Sequence, residues 1–174
     1  MNGFALFTDG SVHPQRKVGV GGYLLVDVPF LEMAAQRIEQ REVSSRLKMK
    51  MFEETSSTKL EVQTVLWALE SSWEELNGSA AGDLRIYTDS QCVAELLRRR
   101  AGLESGDFIA RRSGRPLAHA PLYRAFYAAY DQLGFQVVKI AGHCRACSHD
   151  TIQRIFSYVD KEVRKGLAGT AERR

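Results

Sequence analysis

No stretch of this sequence approaches the roughly 20 apolar residues that a helix needs to cross a bilayer, so no membrane partner is expected. The first residues show no basic leader followed by an apolar run, and no signal peptide is read there. Cysteine is scarce. Three residues, an odd number, argue against a disulfide framework and for a reducing, cytoplasmic setting. Charge of one sign is also lacking: 24 lysines and arginines stand against 21 aspartates and glutamates, for a formal net charge of +3. That balance permits a nucleic-acid partner without requiring one. Internal repeats, low-complexity segments and dividing linkers are absent, which leaves one domain and an expected monomer.

What is present is globular. The hydrophobic share of 44% excludes disorder as the main state, and 174 residues suffice for a sizeable core. Basic residues gather in two places, Arg98, Arg99 and Arg100, then Arg111, Arg112 and Arg115. Each run reads either as a solvated surface or as a set of phosphate contacts, and Arg111 and Arg112 are taken as candidate substrate contacts.

Residues 4–8 (F-A-L-F-T) form a β-rich run that should end at a turn, Asp9-Gly10-Ser11. Residues 19–28 read as a second strand whose glycines imply close approach of another backbone or side chain. Residues 37–52 are read as a third, half-buried strand on the alternation of Leu47, Met49 and Met51. Ser56-Ser57-Thr58 is a capping signal for a helix carrying Leu60, Val62, Val65, Leu66, Trp67 and Leu69, expected to stop near Asn77-Gly78. A fourth strand over residues 84–88 is followed by a helix over 91–100, a polar loop over 102–120, a helix over 122–133, a fifth strand over 135–140 and a last helix over 151–167. The order β-β-β-α-β-α-α-β-α implies an α/β fold. Its sheet is mixed and five-stranded, with three antiparallel strands first and helices flanking it.

Two strands end alike, in L-F-T-D9-G-S and I-Y-T-D89-S. Functional groups gather at the carboxyl ends of strands in open sheets, and neighbouring strands would bring Asp9 and Asp89 to one rim. Glu61, placed in the first turn of its helix, is the third candidate. Each carboxylate alone has a plain explanation, as a turn residue or a partner of the helix dipole. Together they form a set of hard oxygen ligands suited to two Mg²⁺ or Mn²⁺ ions, the arrangement used for in-line displacement at phosphorus.

The segments T-D9-G-S, T-K-L-E61-V-Q-T-V-L-W-A-L, I-Y-T-D89-S, A-G-H143 and V-D160-K-E-V-R resemble ribonuclease HI, in the same order and on the same elements, over nearly the whole chain. The resemblance implies an RNase H-like catalytic domain over residues 1–167, followed by a frayed tail over 168–174. It implies a metal-dependent endonuclease cutting the RNA strand of an RNA–DNA hybrid. Asp9, Glu61 and Asp89 match the family's core metal ligands, Asp160 its fourth carboxylate, and His143 its histidine for proton transfer or product release. Gly10 and Ser11 match positions that contact the hybrid, and Ser90 is a further candidate of that kind.

Two features depart from the pattern. His143 and Asp160 are separated by seventeen positions (160 minus 143), more than the family has, and Asp150 is a rival for the fourth carboxylate. Capping explains Asp150, whereas Asp160 lies between Val159 and Val163 on an apolar stripe, so Asp160 is preferred. The run H143-C-R-A-C147-S-H149 offers zinc ligands or a redox pair. One C-x-x-C is half of a usual structural site, however, and ordinary reduced cysteines are the reading adopted. The region 98–115 is rich in arginine and glycine and has no long basic helix. Alternative readings are a nuclease of this fold acting on DNA, or a catalytically silent nucleic-acid-binding module.

Overall fold

The structure, a computed structural model, describes residues 3–78, 83–141 and 150–171. Strand β1 (Phe4–His13) pairs antiparallel with β2 (Val18–Asp27) over its whole length. Three short helical segments follow, α1 (Val28–Leu31), a 3₁₀ turn (Ala35–Arg37) and α2 (Gln40–Arg46), before β3 (Lys48–Phe52). Then come α3 (Ser57–Ser71), α4 (Trp73–Leu76), β4 (Leu84–Thr88), α5 (Gln91–Ser105), α6 (Ala120–Leu133), β5 (Gln136–Lys139) and α7 (Thr151–Ala171). The sheet order is β3-β2-β1-β4-β5, antiparallel across β1–β3 and parallel across β1, β4 and β5. This is the expected mixed sheet with its three antiparallel strands first.

Strand alternation sorts the core into two layers. Leu6 and Ile86 face α3, α5 and α6, where Val65, Leu96, Phe126 and Phe135 pack. Ala5, Phe7 and Tyr87 face the other way, against Val43 of α2 and Ile155, Val159 and Val163 of α7. The two central glycines of β2 let both layers close down on it. A Cβ on Gly21 would lie 2.2 Å from Thr64 Oγ1 of α3, and one on Gly22 would lie 2.5 Å from Val163 of α7.

Three expectations are corrected. The Asp9-Gly10-Ser11 turn is strand instead: β2 continues to offer a ladder, with Asp9 opposite Gly22, Gly10 opposite Gly21 and Ser11 opposite Val20. The third strand is only Lys48–Phe52, because Ile38 and Val43 are buried on helical turns packed beside α7. Met49 and Met51 are both 45% exposed on that edge strand, so their alternation did not mark a buried face. Finally, α3 is capped by Ser56, which places Glu61 past the first turn, and the first helical turn holds no acidic residue. The dipole explanation for Glu61 loses its basis.

Elsewhere α3 stops at Ser71, where α4 takes over; α5 runs on to Ser105, and α7 continues past residue 167 to Ala171. The segment read as a loop holds a small built turn. Ile109 bridges Pro116, and the Ala110 N–H donates to the Arg115 carbonyl at 2.8 Å.

Candidate active site

Asp9 sits where β1 outruns its parallel neighbour. The parallel ladder between β1 and β4 extends from Phe4 opposite Leu84 to Phe7 opposite Tyr87. Beyond it, β1 is carried by β2 alone, and Asp89 follows directly on β4. The two-residue period places Asp9 on the Phe7 face, toward α7. Glu61 reaches in from α3 on the opposite face. Gly10 leaves it room: a Cβ there would lie 2.9 Å from Leu60 and 3.6 Å from Glu61 Oε1. One oxygen from each of Asp9, Glu61 and Asp89 falls within 4.8 Å of the others.

Local hydrogen bonds fix the Asp89 end. The Ser90 N–H donates to Thr88 Oγ1 at 3.1 Å, and Ser90 Oγ accepts from the Val93 N–H at 3.3 Å, capping α5. From α7, the Asp160 carboxyl hydrogen-bonds that of Asp9. All four carboxylates line one cleft of about 1020 Å³, which also takes in Gly10, Ser11, Lys17, Lys59, His119 and Arg164.

Electrostatics make this cluster costly without a cation. Burial, then the charges of Glu61, Asp89 and Asp160, push Asp9 up from 3.8 to about 9. Burial and then the Asp89 charge push Glu61 up from 4.5 to about 8. Both shifts say that the ionised forms are disfavoured where they stand. A divalent cation among them removes the repulsion, and an all-carboxylate oxygen set suits hard ions such as Mg²⁺ and Mn²⁺.

A family model for RNase H matches residues 1–165. The chain belongs to the RNase H family. It is thus a ribonuclease H, a nuclease whose family requires divalent metal, and the Asp9, Glu61 and Asp89 oxygens fit that requirement. No curated protein matches it by sequence. Among solved structures it is similar to the foamy viral protease–reverse transcriptase, determined in complex with dsDNA, at 15% identity and a TM-score of 0.63, with 94% of this chain and 96% of that one covered. At that identity the likeness is one of fold.

Within this RNase H site the other sequence candidates separate. Asp160 enters the cleft, while Asp150 caps α7, its Oδ1 accepting from the Ile152 N–H at 2.9 Å. Gly10 and Ser11 line the cleft; the Ser90 hydroxyl is engaged as a helix cap. Arg111 and Arg112 are exposed on the turn closed by Ile109 and Pro116, and Arg111 borders a separate hollow with Arg98 and Arg99. Arg100 is tied to Asp131 at 2.8 Å and to Glu104 at 2.8 Å, a structural ion pair. His143 and the cysteines Cys144 and Cys147 lie outside the described residues. Sequence reasoning missed Lys17, Lys59, His119 and Arg164. Only Arg164 carried a signal, since its i,i+4 spacing from Asp160 puts both on one face of α7.

Proposed function

We propose that this RNase H hydrolyses the RNA strand of RNA–DNA hybrids, using two divalent ions held by Asp9, Glu61, Asp89 and Asp160. The observation that carries the reading is the convergence of three carboxylates within 4.8 Å in an open cleft of about 1020 Å³. When bound, the ions would lower the pKa of the attacking water and offset charge on the leaving oxygen. In the reaction an oxygen–phosphorus bond forms from water and the bond to the 3′-oxygen breaks, leaving a 5′-phosphate and a 3′-hydroxyl. The chain's own part is positioning. Asp9 stands within β1 where it outruns β4, Asp89 follows directly on the end of β4, and Glu61 and Asp160 close in from the two helical layers. His143 is the proposed proton carrier, since an imidazole titrates near neutrality.

Ser11 and the Gly10 backbone, beside Asp9, are the proposed sensors of the 2′-hydroxyl that separates RNA from DNA. Lys17, Lys59 and His119 offer donors to phosphates along the cleft. Arg111 and Arg112, on their exposed turn, are proposed contacts to the DNA strand, with Ser90 as a further candidate. A duplex in the cleft accords with the duplex seen with the foamy viral protein. A monomer acting in the cytoplasm is part of the same proposal, the three cysteines speaking against a disulfide framework.

The test is cleavage of a labelled RNA–DNA hybrid with Mg²⁺, with Mn²⁺ and with chelator, beside duplex DNA and duplex RNA. Metal-dependent cutting of the hybrid's RNA strand, lost in Asp9→Asn, is expected. Cutting of duplex DNA in preference would transfer the protein to the DNA-acting nucleases of this fold.

A further inference from the structure

Asp160 faces two ways. Toward the sheet it hydrogen-bonds Asp9, and toward solvent its Oδ1 accepts from Arg164 Nε at 2.9 Å. The Asp160 side chain is 25% exposed and that of Arg164 52%, and both line the cleft. The oxygens that meet within 4.8 Å come from Asp9, Glu61 and Asp89. Asp160 stands beside that set, its charge already answered by a guanidinium. Arginine cannot shed its proton to make way, so a divalent ion that uses Asp160 must share the carboxylate or displace Arg164.

We propose that Arg164 is a positioning residue that holds Asp160 in a guanidinium-bound state and sets, by competition, how readily a divalent ion loads there. The proposal rests on the carboxylate–metal reading above. The three-carboxylate set takes an ion without disturbing Arg164, while loading at Asp160 requires the ion pair to yield. The cost is modest, because a partly exposed pair is worth about 1 kcal/mol or less. That suffices to separate two loading steps.

Mn²⁺ titrated calorimetrically into the metal-free full chain, with bound ions counted by electron paramagnetic resonance, tests this without reference to activity. The binding that disappears in Asp160→Asn is the step at issue. In Arg164→Ala that step should tighten about two- to fivefold, and in Arg164→Lys, which keeps a cation in place, it should stay near wild type. In the Asp160→Asn background, Arg164→Ala should change nothing. Weaker or unchanged binding in Arg164→Ala, with a normal melting curve in chelator, overturns the proposal. So does equal tightening in the Asp160→Asn background, which would make Arg164 a general repulsive charge. Failure of wild type to bind Mn²⁺ at all would remove the metal reading and this inference with it.

Discussion

Removing the charge of Asp9 should make the metal-free protein more stable at alkaline pH while destroying its activity. Asp9 is raised to about 9 and Glu61 to about 8, from ordinary values of 3.8 and 4.5. The folded state therefore holds these protons more tightly than the unfolded chain does. The stability they confer is full below about pH 4 and is lost as pH rises toward 9. Two ionised carboxylates within 4.8 Å would repel by about 3.5 kcal/mol at an effective dielectric constant near 20, a cost the folded chain avoids at pH 8.5 only by holding on Asp9 a proton that the unfolded chain has already shed. Asn keeps the shape of Asp9 without the charge, so in chelator at pH 8.5 Asp9→Asn should gain on the order of 3 kcal/mol. For a domain of this size that is roughly 6–12 °C in melting temperature. At pH 4 the gain should shrink to well under about 1 kcal/mol, because the unfolded chain then holds the Asp9 proton nearly as well as the folded one. Adding Mn²⁺ at pH 8.5 should reverse the order, since an ion at about 1,000 times its dissociation constant stabilises wild type by about 4.1 kcal/mol. Thermal melts of both proteins at the two pH values, with and without Mn²⁺, decide it. If Asp9→Asn melts below wild type at pH 8.5 in chelator, the carboxylates are not in conflict, and the electrostatic case for a cation fails.

Asp160→Asn should abolish most hybrid cleavage with little change in metal-free stability. Asp150→Ala should keep cleavage and lose about 1 kcal/mol through the missing cap of α7, read by denaturant unfolding. Gly21→Ala should destabilise by about 1–3 kcal/mol, because its Cβ would fall 2.2 Å from Thr64 Oγ1 on a helix held by the core. If Arg111 and Arg112 touch phosphates, replacing both by Ala should lower the slope of log affinity for hybrid against log salt, by about 0.9 for each phosphate no longer neutralised. An unchanged slope would leave them as solvated surface.

The sheet was legible because its signals are local. Short apolar runs, a Ser cap and glycines at the crowded strand each speak for themselves, and the nearness of the two T-D pairs followed from β1 and β4 being neighbours, although only the second pair ends a strand. The errors arose where tertiary pairing overruled local chemistry. Asp-Gly-Ser reads as a turn, but an unspent partner strand kept it extended. Leu47, Met49 and Met51 alternate as a half-buried strand does, yet they lie on a sheet edge where nothing covers Met49 and Met51 enough to bury them. The residues between β2 and β3 became helical because Ile38 and Val43 are drawn under α7, a helix more than a hundred positions away.

The same distinction explains what could be read of the site. Each carboxylate has an ordinary local meaning, and only the fold makes the set extraordinary in cost. Strand parity turns Asp9 toward α7, Gly10 clears the path for Glu61, and the end of the β4 ladder leaves Asp89 at the same rim. Lys17, Lys59 and His119 could not have been foreseen, since they come from two separate turns and the start of α3, brought together only by the cleft. Arg164 is different. Its spacing from Asp160 could be read from sequence as an ion pair, and a surface pair in isolation says little about function. What gives it weight is that its partner also hydrogen-bonds a buried, raised carboxyl, so the pair joins solvent-exposed charge to the centre of the site. An ion at Asp9, Glu61 and Asp89 can leave this pair alone, whereas one that uses Asp160 must share or displace it, which makes Mn²⁺ loading of Arg164 variants the sharpest probe of how the site is assembled.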